Sequence, residues 1–329
     1  MTWWAAFIDW IQNLFKSSII EEAPEEPSSD VDEAPDEISI VVSKPDQSSE
    51  SLEDTPSTTP EVPVEKTRDT KYALLVGIDV YNDPKVGLQG CVADALQIKS
   101  VLLDRGFNEN NIVLLTNEKA TKNNILTELD KMITASVKGD ELVFHFSGHG
   151  SQVPDINGDE VDKLDEVLIP HDFNWDGGYI VDDEIAAIFK KLPMGVFLSM
   201  ISDSCHSGTI SKDLNTMERF IVPPQEFLQA IFTTKNLITN SIGRREDGRP
   251  QRHVLLSGCK STQTSMSVII DNNWHGILTY SFVATLSEDD SWTSAYSKTV
   301  SKLKSLGYEQ DPQLTGEKDL LNRKVFGGL

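Results

Sequence analysis

The chain has 329 residues, enough for one large or two ordinary domains. Its 29 Lys and Arg against 52 Asp and Glu leave a net charge of -23, which excludes an electrostatic grip on nucleic acid phosphates. Hydrophobic residues make up 39% of the chain, sufficient for a proper core, and no apolar run is long enough to span a bilayer. Three cysteines cannot build a disulfide framework; they fit a reducing, cytoplasmic setting in which a thiol can be kept for chemistry.

In chain order, Trp3, Trp4, Phe7, Ile8, Ile11, Leu14 and Phe15 recur at helical spacing, so residues 1–20 are expected to form a short amphipathic helix. Asp9 and Gln12 and the lack of a basic leading region argue against a signal peptide. Three roles stay open for it: lying at a membrane surface, docking through residues 3–15 into a partner's groove, or folding back onto the main domain. Residues 21–70 hold 16 acidic and 3 basic side chains and 7 of the 15 prolines, the composition of a disordered acidic linker.

From residue 71 the periodicity is that of a folded domain. Strands are predicted over 72–78, 111–115, 140–146 and 195–201, with helices over 92–103, from the N-cap Thr121 to about Ala135, and over 182–190. Such alternation predicts an α/β fold, a mostly parallel central sheet flanked by helices. A polar, arginine-rich stretch over about 215–252 reads as an exposed basic insertion, dividing a larger part (71–214) from a smaller one (253–329). The smaller part begins with a strand over 253–257, followed by helices over 276–286 and 293–306.

In open parallel sheets function gathers at the carboxyl ends of strands, and two such ends carry reactive groups. One strand runs into Ser147-Gly148-His149-Gly150, the other into Asp203-Ser204-Cys205-His206-Ser207-Gly208. A thiol and an imidazole presented from neighbouring strand tips form a nucleophile and base pair; Cys91 and Cys259 are expected to be structural. A phosphatase loop would need an arginine six residues after the cysteine, where Ser211 stands, and a zinc site needs ligands these scattered cysteines do not supply.

The pair SGHG and DSCHSG resembles the signature of caspase-like cysteine peptidases, in the form found in calcium-dependent metacaspases. The similarity extends through YALLVGID (72–79), GCVADA (90–95), LLSGCKSTQTS (255–265) and DPQLTG (311–316). The resemblance implies a caspase-like fold, with His149 as general base, Cys205 as thiolate nucleophile, and the backbone N–H groups of Gly150 and Cys205 as oxyanion donors. It also implies a substrate pocket walled by Asp94, Ser147 and Asp203, which would select Arg, or Lys, before the cut bond in protein or peptide substrates. A monomer is the family expectation.

A carboxylate-rich run lies between the two motifs, and hard oxygen ligands at this density suit Ca²⁺. Asp155, Asn157, Asp159 and Glu166 match EF-hand positions, but Glu160 stands where glycine is required. The resemblance instead points to Asp165, Asp182 and Asp183, with Asp213 as a displaced fourth ligand because Lys212 holds the position expected to be acidic. An Arg-directed peptidase should also cut itself, at Arg244, Arg245, Arg249 or Arg252 of the basic stretch, or at Lys66, Arg68 or Lys71. The reading from another class is a protease-like scaffold acting through the N-terminal helix and acidic tail. Intact Cys205 and His149 weigh against it.

Overall fold

The computed structural model describes residues 69–154, 164–205, 216–229, 253–258 and 264–327. The expected N-terminal helix and acidic linker, Lys66 and Arg68, Asp213, Cys259 and the arginines at 244–252 lie outside the described residues.

Strands β1 (Lys71–Gly77), β2 (Ile112–Thr116), β3 (Glu141–Ser147), β7 (Phe197–Asp203), β9 (His253–Ser257) and β12 (Gln313–Thr315) form one sheet in the order β12-β9-β7-β3-β1-β2. Every neighbouring pair is parallel except the β12–β9 edge. Parallel strands must be covered on both faces, and the sequence of β1 shows how: Leu74 and Val76 point into one core, Ala73 and Leu75 into the other. The first core is closed by Ile125, Leu129 and Ile133 of helix α2 (Lys122–Thr134) and by Ile185 and Ile188 of α3 (Asp182–Phe189). The second is closed by Ala95, Ile98 and Leu102 of α1 (Cys91–Asp104), Leu278 and Phe282 of α4 (Ile277–Thr285) and Trp292 of α5 (Trp292–Ser305). Thr121 caps α2 as expected, its side chain accepting from the Asn124 N–H at 3.2 Å.

Two departures from the sequence reading bear on function. The strand expected over 195–201 begins two residues later, because Gly195 adopts φ +79° in the turn before it, and so β7 runs through Asp203. Two small antiparallel sheets were not anticipated: β4 (Gly150–Pro154), β5 (Leu164–Leu168) and β6 (Ile180–Val181) form one, and β8 (Thr216–Glu218), β10 (Met266–Ile270) and β11 (Asn273–Gly276) the other. The start of the supposed exposed insertion is therefore part of the fold. β8 pairs with β10, Arg219 is fully buried, and Phe227 packs into the first core. Lys71 is also withdrawn as a cut site: it heads β1, and its Nζ is held at 2.9 Å by the carbonyls of Arg105 and Phe326.

His145, in the middle of β3, is fully buried, and neither ring nitrogen has a hydrogen-bond partner among the described residues. Burial lowers its pKa to about 3, against a pull upward from Asp203. The fold accepts only the neutral ring. Below the unfolded value of about 6.5 the unfolded chain takes up a proton that the folded chain refuses, so stability declines as pH falls, by about 1.4 kcal/mol per pH unit for one such group. His149 and His253, both lowered to about 4 by burial, act in the same sense. Replacing His145 with Leu, of comparable volume, should flatten the fall of melting temperature between pH 6.5 and 4. An unchanged slope would count against this account of the ring.

Candidate active site

β3 and β7 are parallel neighbours in a register that sets Ser147 beside Asp203. His149 and Cys205 each follow two residues later, so one register places imidazole and thiol at adjacent strand ends. Glycine is required where the two loops meet: a side chain on Gly150 would drive into the carbonyl of Cys205, and one on Gly148 into the Tyr81 hydroxyl.

His149 is held from the turn after β1. Its backbone N–H donates to the Tyr81 hydroxyl at 2.8 Å, and the two rings lie 5.1 Å apart. Its Nε2 lies 2.8 Å from the Val86 carbonyl oxygen. A carbonyl only accepts, so the neutral ring carries its proton on Nε2 and leaves a lone pair on Nδ1. Nδ1 is buried and has no hydrogen-bond partner among the described residues. Burial lowers the pKa of the ring to about 4, opposed by the hydrogen bond to the Val86 carbonyl and by the nearby Arg219 backbone. A ring that is neutral at pH 7, with one nitrogen unoccupied, is a proton acceptor in waiting.

Cys205 is fully buried, and its Sγ faces residue 265: the thiol donates to the Ser265 carbonyl at 2.8 Å, and the Ser265 N–H in turn points at the sulfur. Cys91 is different in kind. It is buried at the start of α1, and burial pushes its pKa well above the ordinary thiol value, which keeps it protonated as a structural residue.

Beside this pair the structure brings together all three residues of the expected pocket. Asp94 comes from the first turn of α1, Ser147 from the end of β3 and Asp203 from the end of β7, and all three are fully buried. Asp94 Oδ2 accepts from the Ser147 hydroxyl at 2.8 Å, and Oδ1 from the Gly276 N–H at 2.9 Å. Asp203 accepts from the Ser265 hydroxyl at 2.7 Å and from the Thr279 N–H and hydroxyl at 2.9 and 2.8 Å. Burial raises the Asp94 carboxyl to about 6, with Asp203 adding to the rise and the neighbouring Arg219 opposing it.

Arg219 fills the pocket. Its Nη2 lies 2.7 Å from Asp94 Oδ2, and its Nη1 donates to the Ser147 hydroxyl and the Asp203 carbonyl at 2.8 Å while lying 3.2 Å from Asp203 Oδ1. Its Nε donates to the Ser267 hydroxyl at 3.1 Å. The Gly150 N–H, expected as an oxyanion donor, donates at 2.9 Å to the Arg219 carbonyl oxygen. Sequence reasoning missed Arg219, Ser265, Gly276, Thr279, Tyr81 and Val86. Only Ser265 lay within a recognised motif; the others are brought to the site by chain segments distant from both motifs.

Asp165 lies on β5, and Asp182 and Asp183 follow β6 directly. The antiparallel register that pairs Val167 with Val181 carries all three to the same end of this hairpin. Among the described residues no group of three or more His, Cys, Asp or Glu is gathered closely enough to hold a metal ion.

A largely parallel six-stranded sheet between helices, with cysteine and histidine at its two central strand ends, is the caspase-like architecture. The crystal structure of Caspase-1 from Spodoptera frugiperda matches with a TM-score of 0.50 at 11% identity, covering 79% of this chain and 91% of that one, a likeness of fold alone. The family model for the metacaspase, peptidase C14 domain, matches residues 71–214. Metacaspase-2 of Arabidopsis thaliana is 35% identical over 261 residues, which are 73% of this chain and 57% of the relative. Metacaspase-1B of Aspergillus oryzae is 32% identical over 298 residues, 78% of this chain and 70% of the relative. The chain belongs to the metacaspase family. It spans between 57% and 64% of the length of the first relatives it matches.

Gly276 shapes the pocket by having no side chain. A Cβ there would collide with Asp203 Oδ2, Asp94 Oδ2 and the Arg219 guanidinium. Gly276→Ala should therefore lower stability by roughly 1–3 kcal/mol, as overpacking does, and exclude a guanidinium from the pocket. Thermal melts and binding of a peptide ending in an arginine aldehyde check this; wild-type melting and wild-type affinity would contradict it.

Proposed function

We propose that the chain is a cysteine endopeptidase that cleaves peptide bonds after Arg or Lys through the Cys205–His149 pair, with calcium required to order the loops around the site. The observation that carries this reading is the buried Asp94–Ser147–Asp203 pocket closing on a guanidinium immediately beside the thiol. Two carboxylates and a hydroxyl meet the planar donors of Arg on several sides, while Lys would be held as a point charge. An Asp side chain entering the same pocket would meet like charges in a dry site, so the specificity is opposite in sign to one for acidic residues.

In the reaction His149 takes the Cys205 proton on Nδ1, while Val86 and Tyr81 fix the ring. The thiolate attacks the substrate carbonyl, whose developing charge is met by the Gly150 N–H. The proton held on His149 passes to the leaving nitrogen, and water then hydrolyses the thioester. A scaffold role does not account for this provision: a chain serving only as a scaffold has no use for an imidazole with an unoccupied Nδ1 next to a buried thiol.

For calcium, the support is the donor chemistry and placement of Asp165, Asp182 and Asp183 at one hairpin end, together with the resemblance; Asp213 lies outside the described residues. When bound, the ion would supply positive charge that draws these carboxylates together. Mg²⁺ should replace it badly, since it resists dehydration and demands near-octahedral ligands.

Peptidyl-Arg reporter hydrolysis tests the whole reading. Activity with calcium should vanish with chelator and in Cys205→Ala, and should fall nearly as far in His149→Ala, because members of one catalytic unit are not additive. The double change Asp182→Ala, Asp183→Ala should abolish the calcium-induced rise in melting temperature. Retained turnover by Cys205→Ala would overturn the nucleophile. Full wild-type activity in chelator would overturn calcium control.

A further inference from the structure

The segment DPQLTG (311–316) supplies no residue to the pocket or to the Cys205–His149 pair, but the residue before it reaches toward both. Gln310 lies between α5 and β12 and is buried, only 3% exposed. Its Nε2 donates to the Gly258 carbonyl at 2.6 Å and to the Ser265 hydroxyl at 3.2 Å. Gly258 follows β9 and Ser265 precedes β10, so one amide nitrogen ties the end of one strand to the start of the other. The segment that carries Gln310 is itself anchored: the Tyr296 hydroxyl donates to the Pro312 carbonyl at 3.1 Å, and β12 sets Gln313 opposite Ser257 of β9.

The partners fix the direction of each proton. The Ser265 hydroxyl gives its one proton to Asp203 Oδ1 at 2.7 Å, so its oxygen is left to accept from Gln310. The Gly258 carbonyl also only accepts. Residue 310 must therefore present two N–H donors on one nitrogen, which an amide does. Its other end has no such use: Oε1 is buried and has no hydrogen-bond partner among the described residues. An unmet buried acceptor is costly, so packing alone would be better served by an apolar side chain of the same length.

The hold of Gln310 is felt at Ser265. The carbonyl of Ser265 accepts from the Cys205 thiol at 2.8 Å, its N–H points at the same sulfur, and its hydroxyl bonds the pocket residue Asp203. We infer that Gln310 is a positioning residue for both halves of the site: through Ser265 it sets where the Cys205 sulfur rests and how Asp203 faces the side chain before the cut bond. Its own hydrogen bonds go to neither the sulfur nor the carboxylate, so it is not catalytic. The inference rests on the reading of Cys205 as the nucleophile of an Arg-directed peptidase. Freed from Gln310, Ser265 would carry thiol and carboxylate out of place together, and a misplacement of about 1 Å costs on the order of a hundredfold in rate.

The experiment measures peptidyl-Arg reporter hydrolysis with calcium by the full chain as wild type, Cys205→Ala, Gln310→Met and Gln310→Glu. Active sites are counted by titration to completion with a peptidyl-arginine chloromethyl ketone, and folding is checked by thermal melt. Gln310→Met keeps the length and removes both donors. Per titrated site it should lose about a hundredfold in kcat/KM, with kcat lowered and KM raised because thiol and pocket move together. A smaller titrated fraction with wild-type kcat and KM per site would show a packing role only and overturn the inference. Gln310→Glu adds a pH profile. Its carboxyl when neutral can donate one of the two bonds; when ionised it can donate none and turns a charge toward the Gly258 carbonyl and the Ser265 oxygen. Burial raises the pKa of such a group, so the ratio of its kcat/KM to that of wild type should be highest near about pH 5 and fall by about tenfold or more by about pH 8. A flat ratio overturns the inference. Should Gln310→Met fail to fold, the Gln310→Glu profile decides; failure of both to fold would mark Gln310 as structural and overturn the inference as well. Wild-type constants in the Gln310 variants, with turnover lost in Cys205→Ala, overturn this inference and leave the proposed function standing. A wild-type chain that leaves the reporter uncut, or a Cys205→Ala chain that cuts it, overturns the proposed function and this inference with it.

Discussion

The contact on which the site depends is the burial of one guanidinium between two carboxylates. Isolated charges in a protein interior cost several kcal/mol each, and their attraction offsets that cost only when the remaining lone pairs and protons are also satisfied. Here most are: Gly276 and Ser147 complete Asp94, Ser265 and Thr279 complete Asp203, and Ser147, Ser267 and the Asp203 carbonyl accept from Nη1 and Nε of Arg219. The trio still holds one net negative charge in a dry place, and burial, with Asp203 adding to it against the pull of Arg219, pushes Asp94 up to about 6. Such a pocket is a poor place to leave empty and a strong one for a cation of the right shape. Removing the cation from within should leave a binding site for one from outside.

The rest of the fold serves to align this pocket with the thiol. A parallel register that pairs Ser147 with Asp203 fixes the pocket together with the imidazole and the thiol, since His149 and Cys205 follow by the same two-residue step. β1 contributes from the other side, because the turn after it supplies Tyr81 and Val86 to hold the imidazole. The chain adds β2 outside β1 on one side and β3 on the other, so strand order reverses between β1 and β3, next to the β3–β7 pair whose ends carry His149 and Cys205. Gly150 and Gly276 allow backbone to approach where a methyl group would occupy the space of Cys205 or of the carboxylates.

The central strands were legible because they are apolar runs buried on both faces, as the whole of β3 and β7 shows. Helix α2 was legible from its cap and its stripe of Ile125, Leu129 and Ile133. The small antiparallel strands were not, because runs of two to five mixed residues such as Thr216–Glu218 have no period to read. Asp94 and Asp203 could be assigned to a pocket only through the family resemblance, as each alone is an ordinary turn or cap residue. Arg219 gave no signal at all. It stands at the edge of a stretch whose arginines suggest an exposed loop, and only the pairing of β8 with β10 turns it inward.

The most direct test of the charge-matched pocket compares two reporter peptides identical except for arginine or citrulline before the scissile bond, measured with calcium on the wild-type chain. Citrulline keeps the shape and loses the charge, leaving two buried carboxylates unbalanced. A site built around a buried hydrogen-bonded charge rejects such an analogue strongly, so kcat/KM should favour arginine by roughly a thousandfold or more. Values within about tenfold of each other would contradict a pocket that works by charge.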